Sequence, residues 1–327
     1  MKTKIGYGQK ENIDSAITEQ KIDSGDIVFT SDTDELAFIT PENKAKFIKS
    51  RSSKEYTLNG TSLGALQNGD IIPIGIDMDG LLNLITQKAV APTYYQPSVS
   101  IAKNGNGTAP GNYEAGTSII PNFNATFTKN DAGDLTKLTV MKGAEELGSG
   151  TSSPYNYTGE TFVLGDETIS YKAVATYKEG PVKNNNLNQP DPTGQVKAGS
   201  KNSNNVNYTG QRNLFYGTGV GELPEVNSAM VRGLSNKKLN PTKGYVFNVN
   251  VEVGQQYVVI AYPASLNDVK EIMYVETNDP GCASNFTKNT VNVADARGGE
   301  NGLKSYNIYT YFMKVPAAAK MTFKVTI

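Results

Sequence analysis

The period of the apolar positions changes along this chain, and the changes divide it. Between residues 1 and 53, Ile13, Ala16 and Ile17 share one face of a helix predicted over Asn12–Ile22. Asn12 is its N-cap, Asp14 lies in its first turn and Asp23-Ser24-Gly25 stops it. Two short runs, Asp26–Thr30 and Glu35–Ile39, follow around the polar turn Ser31-Asp32-Thr33-Asp34 and predict a hairpin that is apolar on both faces. A unit this small does not bury a sufficient core. Its surplus apolar side chains, Ile13, Ile17, Ile27, Phe29, Leu36, Phe38 and Ile39, read either as a plug that docks on another chain or as a subdomain folded back on the protein.

Residues 54–92 have a different pattern. Ile71, Ile74, Met78, Leu81 and Ile85 recur at spacings of three, four, three and four, the a/d period of a coiled coil. Isoleucine at both positions favours trimers. Pro73, Gly75 and Gly80 interrupt the run, so a short helix near Asp79–Ala89 is expected, bundled with copies of itself or packed on its own domain.

From residue 93 the period becomes two. Strands are predicted at Ser98–Ala102, Phe123–Thr128, Leu135–Lys142, Tyr155–Val163 and Ile169–Tyr177, with Tyr171, Ala173, Ala175 and Tyr177 on one face. Turn signals separate them, a spacing that suits an immunoglobulin-like β-sandwich without its disulfide over residues 93–210. The polar, Asn-rich stretch Asn184–Asn207 reads as a linker or as a long surface loop. Over residues 211–327, Tyr245–Val251 alternates and Tyr257–Tyr262 is apolar throughout, as a central strand would be. Met321–Ile327 closes a C-terminal β-sandwich or jelly-roll-like domain with Met321, Phe323, Val325 and Ile327 on one side. The expected class is therefore mainly β, with a helix-plus-hairpin anchor and a coiled-coil-like connector ahead of two β domains.

Composition narrows the chemistry. The 327 residues include no histidine, which removes Ser-His and Cys-His nucleophilic schemes. Zinc would have to be held by carboxylates and the one thiol, Cys282, so no metal and no cofactor are expected, and no catalytic residue is assigned. A formal net charge of −1, with Lys44–Lys54 as the one Lys-dense stretch, gives no footprint for nucleic acid. Ile5-Gly6-Tyr7-Gly8 is not the apolar core of a signal peptide, and no apolar run reaches about 18 residues, so synthesis in a cytoplasm without membrane insertion is expected. Gly217-Thr218-Gly219-Val220-Gly221 lacks the Lys-Ser/Thr of a phosphate loop. Asp77-Met78-Asp79-Gly80 resembles part of a calcium loop without its downstream glutamate, and solvated turn carboxylates are the simpler reading.

The segment ENIDSAITEQKIDSGDIVFTSDTDELAFITPENK resembles the N-terminal attachment segment of bacteriophage fibre and appendage proteins. AGTSIIPNFNATFTKNDAGDLTKLTV and ISYKAVATYKEGPVKNNNLNQPDPTGQVKAGS look like their immunoglobulin-like module. YVVIAYPASLNDVKEIMYVETN and SNFTKNTVNVADARGGENGLKSYNIYTYF are similar to their C-terminal β domain. Such chains occur in phages of gut bacteria, including crAss-like phages, where this one resembles the head fibres. The resemblance implies a homotrimer at the virion surface, made in the bacterial host cytoplasm and seated by its N-terminus on capsid, portal-vertex or tail proteins. Host surface glycans are candidate ligands of the outward domain, with Tyr306, Tyr309 and Tyr311 as stacking candidates by position. The competing readings are a tail-spike enzyme that degrades polysaccharide, which needs convergent carboxylates, and a bacterial surface adhesin.

Overall fold

The structure, a computed structural model, describes residues 4–33, 35–48, 54–60 and 63–327; the side chains of Ile48 and Met78 also lie outside the description. The chain is 43% strand and 10% helical, in several sheets with no barrel. Its contacts separate two units, Met1–Thr93 with Val182–Gly194 and Tyr94–Pro181 with Gln195–Ile327.

In the first unit, β1 (Ile5–Gly8), β2 (Ile27–Thr30), β3 (Leu36–Ile39) and β4 (Ala45–Ile48) form one sheet in that order, parallel between β1 and β2 and antiparallel elsewhere. The predicted hairpin is present, whereas β1 and β4 lie in a glycine-alternating and a lysine-rich stretch that the apolar pattern does not mark as strands. Helix α1 (Ile13–Thr18) is shorter than Asn12–Ile22. Lys10–Asn12 is a 3-10 turn, Asn12 makes no side-chain cap bond, and Gln20 at φ 54° ends the helical path. The unit also has a small core after all: Ile13, Ile22, Val28 and Ile39 are buried, with Ala16, Ile17, Ala45 and Phe47 against them.

The connector is not one heptad helix. Ile71 belongs to β6 (Ile71–Ile72), which pairs with β5 (Tyr56–Thr57). Ile74 sits between that strand and α2 (Met78–Thr86), next to Gly75 at φ 86°. Met78, Leu81 and Ile85 alone fall on a helix, because Pro73 and Gly75 break the path ahead of it. Asp77 caps α2 by accepting from the Gly80 N–H at 2.7 Å, which accounts for the Asp77-Met78-Asp79-Gly80 motif. Residues 182–194 make an excursion that returns to this unit. Asn186 accepts from the Val90 N–H at 2.6 Å and donates to the Lys88 carbonyl at 3.1 Å.

That excursion shows that Asn184–Asn207 is not a linker between the β modules. Gly199–Asn202 and Val206–Gln211 both pair with Thr168–Tyr177 in a six-stranded sheet, which also contains Glu145–Gly150, Leu135–Lys142 and Gly111–Glu114. A second sheet orders Tyr155–Tyr157, Phe123–Thr128 and Ser98–Lys103. The two sheets share one core. Tyr171, Ala173, Ala175 and Tyr177 are buried on a single face, and Phe123 packs on Tyr171 at 4.9 Å between ring centroids.

The second module orders Asn236–Leu239, Asn213–Gly219, Tyr257–Pro263, Lys304–Phe312 and Thr287–Val293 in an antiparallel sheet. Val246–Val251, Met321–Thr326 and Glu271–Tyr274 form another. Val258, Ile260 and Tyr262 of the central strand face the core shared by these sheets. Val259 and Ala261 face the opposite core, closed by α3 (Ser228–Arg232) through Val231. Covered on both faces, Tyr257–Pro263 reads as a continuous apolar run.

A single residue, Arg212, separates Val206–Gln211 from Asn213–Gly219, so the two modules meet without a linker. Arg232 reaches across to Glu114 at 2.6 Å, and Ala296 N–H donates to the Ala115 carbonyl at 2.8 Å. Gly116, at φ 94°, lets Asp295 approach; a Cβ there would lie 2.5 Å from the Asp295 Cγ. Gly116→Ala is therefore expected to destabilise the protein by about 2 kcal/mol or more. Gly143→Ala, at φ 58° with open space around it, should cost about 1 kcal/mol, from backbone strain alone. Urea denaturation of both variants measures the difference; equal losses would show that Asp295 does not hold the modules together.

Candidate docking surface

The two faces of the N-terminal sheet differ sharply. Strand alternation sends Val28, Ala37 and Ile39 inward beneath α1, with Gly6 in the facing position of β1. A Cβ at Gly6 would already touch Ile22 and Val28 at 3.4 Å, so a small residue there lets the core close. The same alternation turns every second residue outward. Register places Ile5, Ile27 and Phe38 in one cross-strand row and Tyr7, Phe29 and Leu36 in the next. Ile5 is 81% exposed, Tyr7 76%, and Phe29 and Phe38 40% each, while Ile27 and Leu36 are half-buried. Tyr7 stacks on Phe29 at 6.2 Å with 12° between the rings, so the aromatic pair is ordered on the sheet itself. Lys46, on β4 beside Phe38, is the polar residue in these rows.

The rim is polar and tied down. Asp26 is buried, and its carboxylate accepts from the Lys4 N–H at 2.7 Å and the Asp23 N–H at 3.0 Å, joining the start of β1 to the turn before β2. Those two backbone bonds hold its pKa below the ordinary aspartate value, with burial opposing. Lys10 pairs with Glu35 and lies over the Phe47 ring at 4.3 Å. Asp32 accepts from the Lys10 N–H at 2.9 Å, while Asp34 lies outside the described residues.

Of the expected anchoring residues, Ile27, Phe29, Leu36 and Phe38 come together on the outer face. Ile13 and Ile39 are corrections: both are in the core, as the alternation of β3 and the inner face of α1 require, and Ile17 packs half-buried against it. Ile5 and Tyr7 complete the patch and were missed. Their signal is period two across Ile5-Gly6-Tyr7-Gly8, which the glycines hide. Ile71 and Ile74 are exposed at 57% and 62%, Leu81 and Ile85 are half-buried, and the side chain of Met78 lies outside the described residues.

The tyrosines require a further correction. Tyr306 is buried and its hydroxyl donates to the Asn213 carbonyl at 3.0 Å; Tyr309 is buried and accepts from the Val269 N–H at 3.1 Å. Tyr311 is half-buried, edge-on to Phe323. Their strand lies inside a sheet covered on both faces, so Tyr306 and Tyr309 offer no open ring to a sugar. Cys282 is buried in a core; its thiol donates to Asp279 at 3.4 Å, and burial, then Asp279, raise its pKa. Gly217 and Gly219 lie on a strand, where Gly219 makes room for the Tyr257 ring. Among the described residues no three metal-ligating side chains gather, and no helix is long and apolar enough to cross a membrane. Comparison with protein-family models, curated proteins and solved structures returned no match.

Because the Asp26 pKa is depressed in the fold, its contribution to stability is complete above the ordinary value of 3.8 and is lost as pH falls through the lower folded value. The Lys4 and Asp23 amide resonances should therefore titrate together with a midpoint below 3.8. In Asp26→Asn that transition should vanish; its persistence would assign it to another group.

Proposed function

We propose that this chain is a structural component of a bacteriophage virion, a homotrimeric fibre of the head in preference to the tail. Its seat is the outer face of the N-terminal sheet, and its β unit, built from an immunoglobulin-like and a jelly-roll-like module, remains available to meet the host surface. The observation that carries the reading is the pair of apolar rows, Ile5-Ile27-Phe38 and Tyr7-Phe29-Leu36, left open on a sheet whose other face is covered. Covering four such exposed side chains contributes roughly 1–2 kcal/mol each, about 4–8 in all. Association alone costs about 4–15 kcal/mol, so one copy is marginal and several linked copies bind firmly. Exposed Ile71, Ile74 and Leu82 in the connector are the surface through which copies would join. The polysaccharide-cleaving reading has less support, since Glu114, Asp166 and Asp295 of the β unit are each engaged by an arginine.

The purified chain should have a mass near three times 35.2 kDa by light scattering. It should also co-sediment with particles of the phage that encodes it. The double variant Phe29→Ser, Phe38→Ser should bind those particles about tenfold more weakly or worse while circular dichroism at the assay temperature shows it still folded, because both rings lie on the outer face and outside the core of the unit. Undiminished co-sedimentation of the variant would move the seat elsewhere, and particles lacking the protein would overturn the virion assignment.

A further inference from the structure

The junction of the two β modules contains two adjoining clefts, of about 230 and 380 Å³, which share Asp166, Arg212 and Lys304 as a common wall. Both carboxylates that line them are fully engaged. Asp166 receives the Arg212 fork at 2.6 and 3.0 Å. Asp295 receives the Arg297 Nη2 at 2.7 Å and the Arg297 N–H at 3.0 Å. Three cations therefore face two satisfied anions across the larger cleft. The surplus one is Lys304, half exposed, whose one ion-pair contact among the described residues is a 3.7 Å approach to an Asp166 oxygen that Arg212 already occupies.

The smaller cleft adds uncommitted neutral groups. Gln211, Asn240 and Ser265 line it, and none of their side chains makes a hydrogen bond among the described residues. Beside them the Arg212 Nη1 is buried, with no hydrogen-bond partner among the described residues. Leu266, half-buried, supplies an apolar edge, with the buried Pro241 and Pro263 behind it. A half-exposed lysine, amides and a hydroxyl without partners among the described residues, and an apolar edge in a concave space form the pattern of a small-ligand site. They match one chemistry closely: a sugar ring with several hydroxyls and one carboxylate.

We propose that this cleft binds an acidic saccharide unit, its carboxylate on Lys304, its hydroxyls on Asn240 and Gln211, and its less polar ring face against the half-buried Leu266. The site adds a ligand to the fibre reading, and its test in solution does not depend on whether the chain sits on a virion. On this proposal glycan contact falls on the cleft rather than on Tyr306 and Tyr309.

Anisotropy of a fluorescent oligogalacturonide titrated with the full chain tests the proposal. Saturable binding is expected, with neutral oligogalactan at least about tenfold weaker, and Lys304→Gln and Asn240→Ala each weakening the acidic ligand about fivefold or more. Lys304 is half exposed, so a Tm within about 2 °C of wild type shows that Lys304→Gln has not acted through unfolding. Loss of affinity in Lys304→Gln with none in Asn240→Ala, or displacement by equimolar inorganic phosphate, would reduce the site to a general anion contact and overturn the saccharide assignment. Absence of saturable binding, or equal binding by both variants and wild type, would overturn the site altogether.

Discussion

A β-sheet has two faces, and each must be covered by something. In the C-terminal module both faces of the long sheet are covered from within the chain: the strands Val246–Val251, Met321–Thr326 and Glu271–Tyr274 lie against one side, and α3 closes the other through Val231. This double cover removes water from Tyr257–Pro263 and its neighbours and makes their hydrogen-bonded ladder permanent. The N-terminal sheet follows the same rule with half the means. One short helix covers its inner face, and among the described side chains six apolar ones lie on the outer face, two of them half-buried. An uncovered apolar face of this kind is the physical basis of the docking role proposed for the segment.

Polar chemistry takes over where the modules meet. The connection between them is one residue, Arg212, and guanidinium–carboxylate pairs surround it, Arg212 with Asp166 and Arg232 with Glu114. Guanidinium forks match carboxylates in two bonds at once, so they set orientation as well as distance. Removing one partner of such a pair would leave the other charge poorly solvated, at a cost of about 3–5 kcal/mol where the pair is buried. The two modules thus share one compact unit, and the clefts between them are lined mostly by loop residues whose charged side chains pair across them.

Much of the architecture was legible in the residue pattern. Period-two alternation located Phe123–Thr128 and Leu135–Lys142 to the residue, and the apolar run at Tyr257–Tyr262 located the strand that is covered twice. These succeed because burial on one or both faces writes itself directly into side-chain type. The a/d spacing from Ile71 to Ile85 does not follow one helix: the short helix expected near Asp79–Ala89 is present as Met78–Thr86, while Ile71 and Ile74 lie ahead of it because Pro73 and Gly75 break the path. Strands β1 and β4 escaped notice because four residues with glycine or lysine in the sequence carry too little alternation to be distinguished from a loop.

The sequence by itself determined the β class, the apolar character of the N-terminal hairpin on both sides, and the absence of histidine chemistry. Only the tertiary structure decided which of those apolar residues are core and which are surface. Ile13 and Ile39 close under α1, while Ile5 and Tyr7 join Phe29 and Phe38 outside. It likewise withdrew Tyr306 and Tyr309 into the sheet and brought Asp166, Arg212 and Lys304 together from three distant stretches. The reason is the same in each case. Side-chain type records how well a residue tolerates burial, whereas strand register and cross-module pairing, which are long-range choices, decide what each residue meets.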